Sequence, residues 1–95
     1  MLLEKPIKTG SIVTVKLNSG EELIARFETE DEDILNISKV RAIAQGQTGI
    51  GLIPWMVTSG SATISINKAT VVAYTQTDEA IAKSYLENTT DITLV

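Results

Sequence analysis

Apolar and polar residues alternate along the first third of the chain. Residues 12–17 (IVTVKL) and 23–28 (LIARFE) each place every second side chain on one face, which is the period of a half-buried β-strand. The intervening Asn18-Ser19-Gly20 predicts a tight hairpin turn. The acidic run 28–33 then predicts a solvated turn, and a third strand opens at Ile34. These patterns predict a meander of three antiparallel strands.

The third strand is predicted to continue to Ala44, but its alternation changes parity near Ser38. Either a bulge near Ser38 restores the register, or both faces of the strand are buried in an oligomer. The glycine-rich stretch 45–51 follows, and it predicts a loop between strands.

The second half of the chain predicts three short strands. Residues 52–57 are the most apolar run, and because Pro54 has no N–H this strand either lies at an edge or ends at Pro54. Residues 62–66 and 70–75 alternate again and are bounded by turn-forming residues. The predicted strands therefore cover about residues 9–76 of one mainly β domain.

A C-terminal helix is predicted over about 78–88. Thr77 is expected to cap it, and its apolar stripe is expected to pack on the strands, over an end that they leave open. Residues 91–95 are predicted to be a frayed tail or a short added strand. The stripe consists of Ile81, Ala82, Tyr85 and Leu86.

The composition narrows the classes of function. At 95 residues and 43% hydrophobic residues, with few aromatic ones, the chain predicts one small aliphatic core. It has no Cys, which excludes disulfides and thiolate metal sites, and no His, which argues against a hydrolase or a zinc enzyme. We therefore expect a protein that is not an enzyme and needs no cofactor. The net charge of −4 argues against coating of duplex nucleic acid by bulk electrostatics.

Two features leave alternatives open. The acidic run 28–33 suggests calcium, but it lacks the Asp-x-Asp-x-Asp-Gly pattern, so a solubilising turn is the preferred interpretation. Trp55 and Met56 could plug the core or a subunit interface, or offer a platform on which a base stacks. Together with Tyr74 they could also line a small-molecule pocket.

The N-terminal residues 1–7 are too few and too charged for a signal peptide. No run approaches the roughly 20 apolar residues that span a bilayer. We therefore expect a cytoplasmic protein without a membrane partner. Pro6 also disfavours a helix at this end.

The first meander contains Val15-x-Leu17-x-x-Gly20 and then Asn36. This order resembles the first motif of the Sm-like (LSm) proteins, small and strongly bent β-barrels that assemble into rings and bind single-stranded RNA. Ala25 stands where the family has a second Gly, and the segment from Gly20 to Asn36 is one residue longer than the family pattern. The remaining motif positions are matched by Phe27, Glu32 and Leu35.

Ile66-Asn67-Lys68 stands where the family's second motif has Ile-Arg-Gly. The resemblance therefore puts Asn67 at the position of the Arg that contacts the base, and Lys68 at that of the Gly. Ile34 occupies a position where the family often has a residue that stacks on a base. With Asn67 in place of the Arg, the chain lacks the guanidinium that the family has here. Lys68 could offset this loss by contacting phosphate. The nucleic-acid-binding residues implied by the resemblance are Ile34, Asn36, Asn67 and Lys68, with Lys39 and Arg41 adding charge.

The resemblance implies a small Sm-like or SH3-like antiparallel barrel that forms a homo-oligomeric ring of about five to seven copies. Its implied function is binding of single-stranded nucleic acid, RNA rather than DNA, in RNA or DNA processing. The alternative is a ring that scaffolds other proteins without nucleic acid. The chain also resembles small Sm-like proteins of phage genomes, which would place it in the host cytoplasm. In such a ring the acidic turns would put negative charge at one rim and repel nucleic acid there.

Overall fold

A computed structural model describes residues 7–89, which form six β-strands and a C-terminal helix. The predicted tail at 91–95 and the N-terminal segment with Pro6 lie outside the described residues. All strand pairings are antiparallel. The elements are β1 (Ile12–Leu17), β2 (Glu22–Glu30), β3 (Ile34–Gly46), β4 (Gly49–Pro54), β5 (Thr63–Asn67), a 3₁₀ turn (Lys68–Thr70), β6 (Val71–Gln76) and α1 (Glu79–Thr89).

The strands form one curled sheet in the order β4-β3-β2-β1-β6. β3 is long enough to pair with β5 along 34–38 and with β4 along 41–46, on the edge opposite β2. The 3₁₀ turn joins β5 to β6, and so connects the two ends of the sheet. Its backbone is held by hydrogen bonds from the Asn18 amide to the Thr70 carbonyl (2.8 Å) and from the Lys68 amide to the Asp33 carbonyl (2.8 Å). The prediction of a small, strongly bent antiparallel barrel with a C-terminal helix is confirmed.

The core lies inside the curled sheet and follows the alternation of the sequence. In β1 and β2 the inward side chains are almost completely buried, because each strand has one face towards the core. Trp55 packs against this cluster from the segment after β4 and is half-buried, whereas Met56 is exposed. The buried cluster consists of Val13, Val15, Leu17, Leu23, Ala25, Phe27, Leu35, Ile37, Val40 and Ile66.

The predicted bulge in β3 is present. Arg26 is paired with Ser38 and Ile24 with Arg41, so two residues of β3 face one residue of β2. Within this bulge Lys39 has a φ of 52°, in the left-handed region. The extra residue turns Val40 inward and explains the change of parity in the sequence.

Helix α1 lies across the outer face of the sheet, not over an open end of the barrel as predicted. Ile81 of α1 lines a groove together with Ile24, which is 1% exposed although it lies outside the core cluster. Tyr85, also 1% exposed, donates a hydrogen bond from its hydroxyl to the Lys39 carbonyl (2.7 Å). Leu86 of the predicted apolar stripe is instead half exposed. The helix therefore forms a second, smaller contact layer on the outside of the barrel.

The cap of α1 is Asp78, not Thr77. The Asp78 carboxylate accepts hydrogen bonds from the amides of Ala80 (3.1 Å) and Ile81 (3.3 Å), which satisfies two donors of the first turn. The Thr77 hydroxyl is hydrogen-bonded to that of Thr14 (2.8 Å) and ties the start of the helix to β1.

Two loops are shorter in the structure than the sequence predicts. Residues 45–51 are not a loop, since Gly46 pairs with Gly49 and a two-residue turn joins β3 to β4. The acidic run also begins inside β2, which extends to Glu30, so its turn is confined to residues 31–33. The prediction that this strand lies at an edge or ends at Pro54 is confirmed in both respects, because β4 is the terminal strand of the sheet order and its last residue is Pro54.

Candidate nucleic-acid interface

Four of the six predicted contact residues come together at one end of the barrel. Ile34 of β3 is the direct register partner of Asn67 at the end of β5, and Asn36 is the partner of Ser65. Register partners in an antiparallel pair lie about 5 Å apart between Cα atoms. Lys68 follows Asn67 and begins the 3₁₀ turn. The pairing of β3 with β5 therefore brings Ile34, Asn36 and Asn67 onto one face, although some thirty positions separate them in the sequence, and Lys68 follows next along the chain.

The Asn36 amide is held by its neighbours. Its Nδ2 donates to the Thr29 hydroxyl (2.9 Å), and its Oδ1 accepts from the Ser65 hydroxyl (2.5 Å). Since an amide has two donor hydrogens and two acceptor lone pairs, these contacts fix its orientation and use about half of its capacity. The remainder is sufficient for one donor and one acceptor contact with a base edge.

Asn67 acts first as a structural residue. Its Oδ1 accepts from the Ala69 amide (2.9 Å), and its carbonyl accepts from the Thr70 hydroxyl (2.8 Å). It therefore caps the 3₁₀ turn. Only its Nδ2 donors remain for a ligand, which is a smaller contact than an arginine would offer at this position.

Lys68 forms an ion pair with Glu30, at 2.6 Å between Nζ and Oε1. The Tyr74 hydroxyl donates to the same carboxylate oxygen. Hydrogen bonds from Lys68 and then Tyr74 hold the pKa of Glu30 below its ordinary value, and the hydrogen bond to Glu30 raises the pKa of Lys68. The pKa of Tyr74 is raised by its hydrogen bond to the same carboxylate. This cluster joins the end of β2 to the 3₁₀ turn and β6.

The turn beside this surface is acidic and well ordered by local hydrogen bonds. The Asp31 carboxylate accepts from the amides of Asp33 (2.8 Å) and Ile34 (2.8 Å). These backbone donors lower the pKa of Asp31. Lys68 therefore lies between one carboxylate that it contacts and a turn that carries several more.

Lys39 and Arg41 lie at a different part of the barrel. They are on the far side of the β3 bulge, so they begin roughly 10–15 Å along the strand from Asn36, at about 3.3 Å per residue. The Arg41 guanidinium donates to the Asn88 side chain of α1 (3.0 Å). Both residues line a cavity of about 230 Å³ with Trp55 and Met56. They are thus not part of the surface formed by Asn36 and Lys68.

The single small-molecule pocket suggested by the sequence is not formed. Trp55 and Met56 line the cavity just described, whereas Tyr74 lines a separate depression along β6. The Trp55 indole also donates to the Glu21 carboxylate (3.2 Å) while its ring packs on the core. Its position is that of a plug at the edge of the core.

The sequence does not predict a groove on the outer face of the sheet, or the partners of Lys68. A groove of about 440 Å³ lies on the outer face between α1 and the β3–β4 hairpin, with Ile24, Ile43 and Ile81 among its lining residues. Glu30 and Tyr74 meet Lys68 only because the sheet curls, and a single sequence carries no signal for that long-range contact.

No group of three or more metal-ligating side chains occurs in the part of the chain that the structure describes. Over residues 7–89, no helix has the length and apolarity needed to cross a bilayer. No protein-family model matches the chain, and comparison with curated proteins gives no significant match.

Proposed function

We propose that this chain forms a homo-oligomeric ring of about five to seven copies that binds single-stranded nucleic acid, RNA rather than DNA. The observation that carries the proposal is that the pairing of β3 with β5 brings Ile34, Asn36, Asn67 and Lys68 to one end of the barrel. These residues were selected by resemblance to Sm-like motifs from two distant stretches of the chain. If the resemblance in the two stretches were due to chance, these residues would have no reason to lie near one another in the fold.

The ring is supported by the strand edges. Among residues 7–89, β5 pairs only with β3 and β6 pairs only with β1, so each has an edge without a strand neighbour. Val72 on β6 is 66% exposed. Unpaired edges favour pairing with another chain. Since β5 and β6 lie at opposite ends of the sheet, pairing β5 of one copy with β6 of the next is head-to-tail, and it closes into a ring if the rotation allows.

The chemistry of the surface suits a weak, partly base-directed contact. Asn36 has capacity for a donor and an acceptor bond to a base edge, and Lys68 supplies an ammonium at the same end of the barrel. Repetition around a ring would add several such contacts along one strand, and multivalency then raises the overall affinity well above that of one site.

A second candidate is a ring that scaffolds other proteins. It is favoured by the ion pair between Lys68 and Glu30, which leaves the amine already neutralised, and by the acidic turn at residues 31–33. The net charge of −4 points in the same direction.

Fluorescence anisotropy with labelled oligo-U, oligo-A and single-stranded DNA, at low and at physiological salt, distinguishes the two candidates. The proposal predicts salt-sensitive binding, strongest for RNA, that is weakened in Lys68→Met. Lys83→Met is the matched control, because Lys83 is exposed on α1, and it should bind as the wild type does. Absence of binding by intact rings at low salt would overturn nucleic-acid binding and favour the scaffold.

A further inference from the structure

Lys68 follows Asn67 at this end of the barrel, yet it is not presented to solvent as an isolated charge. Its Nζ lies 2.6 Å from Glu30 Oε1, and both side chains are about two-thirds buried or more, with 26% and 32% of their surfaces exposed. The Tyr74 hydroxyl donates to the same oxygen. Glu30 is thus held in place from two sides.

The geometry points to Glu30 as an autoinhibitory residue of this surface, one that a nucleic-acid phosphate must displace from Lys68 before it can bind there. This inference rests on the proposed function. The inference goes beyond the proposed function, because it assigns a role to Glu30, a residue that the resemblance did not select.

Charge balance gives the inference its physical basis. With Glu30 in place, Lys68 and its partner sum to zero, so a phosphate that approaches gains little counterion release and must also be accommodated next to a carboxylate. With a neutral residue at position 30, the same amine becomes a net positive charge. The affinity for phosphate is therefore set by Glu30 as much as by Lys68.

The alternative is that Glu30 acts only as one more negative charge near the site. Glu32 provides the comparison, because it is an exposed carboxylate in the neighbouring turn at residues 31–33. Glu30→Gln and Glu32→Gln change the net charge equally, but only the first removes the negative charge that is paired with Lys68. Gln at position 30 can still accept hydrogen bonds from Tyr74 and Lys68, so the local structure is conserved.

Two measurements test the inference on the intact protein. In the first, amine labelling followed by mass spectrometry measures the reactivity of Lys68 without nucleic acid. Lys68 should be labelled faster in Glu30→Gln than in the wild type, and unchanged in Glu32→Gln. Equal labelling in all three proteins would overturn the inference, whether or not the protein binds nucleic acid.

In the second, anisotropy measures binding of oligo-U over a range of salt concentrations. Glu30→Gln should bind about two- to fivefold more tightly at low salt, the range of ion pairs at a protein surface, and the slope of log K against log salt should steepen by about 0.7. The double variant Glu30→Gln/Lys68→Met has the wild-type net charge and should bind no better than the wild type.

Three results in the binding experiment would overturn the inference: equal gains in Glu30→Gln and Glu32→Gln, no gain in Glu30→Gln, or a gain that persists in the double variant. In these cases the wild type still binds, so the proposed function survives. If neither the wild type nor Glu30→Gln binds oligo-U, the proposed function fails as well. The labelling experiment needs no nucleic acid, so it still shows whether Glu30 shields Lys68.

Discussion

Tyr85 links α1 to the bulge of β3 through its hydroxyl. The side chain is 1% exposed, and its hydroxyl donates to the Lys39 carbonyl at 2.7 Å. A buried carbonyl that loses its donor retains the cost of desolvation without a bond to offset it. Removal of the Tyr85 hydroxyl should therefore weaken the packing of α1 against the sheet.

Tyr85→Phe should lower the free energy of unfolding by about 1–2 kcal/mol. Tyr74→Phe is the control, because its hydroxyl contacts Glu30 near the surface, and its effect should be clearly smaller. Urea unfolding at neutral pH measures both. Equal effects in the two variants would contradict the role assigned to Tyr85.

The pH dependence of Tyr85 tests the same contact in a second way. Burial raises its pKa from 10 to about 12. Its contribution to stability is therefore complete below pH 10 and is lost as the pH rises through 12. The difference in stability between the wild type and Tyr85→Phe should narrow between pH 10 and pH 12. A constant difference would show that Tyr85 ionises equally in the folded and unfolded states.

The contribution of Glu30 to stability should be lost in acid, whereas that of Tyr85 is lost in base. Hydrogen bonds from Lys68 and Tyr74 lower its pKa from 4.5, so its contribution is complete above that pH and is lost as the pH falls through the lower folded value. Thermal unfolding of Glu30→Gln should therefore depend less on pH below 4.5 than that of the wild type. Glu32→Gln is again the control, and a profile identical to that of Glu30→Gln would contradict this account.

At the level of single residues, the sequence predicts which residues belong to the candidate site but not which side chains they contact. Ile34, Asn36, Asn67 and Lys68 were predicted as site residues and lie together, although their function stays a prediction. Glu30 was assigned only to an acidic run. Its contact with Lys68 depends on the curl of the sheet, which brings distant strands together and which no local pattern encodes.

At the level of elements, the bulge in β3 determines which of its side chains face the core. Lys39 occupies the left-handed region with a φ of 52°, a conformation that costs a non-glycine residue about 1–2 kcal/mol. The strand accepts this cost because the bulge returns Val40 to the core.

Lys39→Gly should leave the free energy of unfolding unchanged or raise it by up to about 1 kcal/mol, because relief of the backbone strain offsets the entropy of glycine. Lys16→Gly is the control in a regular part of β1, and it should lower stability by about 0.5–1 kcal/mol. Chemical denaturation measures both variants. A loss of stability in Lys39→Gly as large as that in Lys16→Gly would contradict strain at the bulge.

The elements differ in how well the sequence predicts them. β1 was predicted at its exact bounds, because its alternation is uninterrupted and its turn residues follow at once. The β3–β4 hairpin was missed, because glycines at 46, 49 and 51 carry no alternating side chains. Thr77 and Asp78 can both cap a helix, and the choice depends on the hydrogen bond of Thr77 to Thr14 in a distant strand.

At the level of the whole molecule, assembly depends on the edges of β5 and β6. Val72→Asp places a charge on the exposed β6 edge and should convert rings into monomers or small oligomers. Val57→Asp is the matched control, because Val57 is 82% exposed in the segment between β4 and β5, and it should leave the ring intact. Light scattering measures both masses, and rings in Val72→Asp would exclude this edge from the interface.

The mass of the wild-type protein with and without oligo-U, determined by native mass spectrometry, tests the central claim most directly. At 10.2 kDa per chain, the account predicts a closed species of about 50–70 kDa, corresponding to five to seven copies, that gains the mass of bound RNA. A ring that gains no RNA would favour the scaffold. A 10.2 kDa monomer at every concentration, with no bound RNA, would contradict the account.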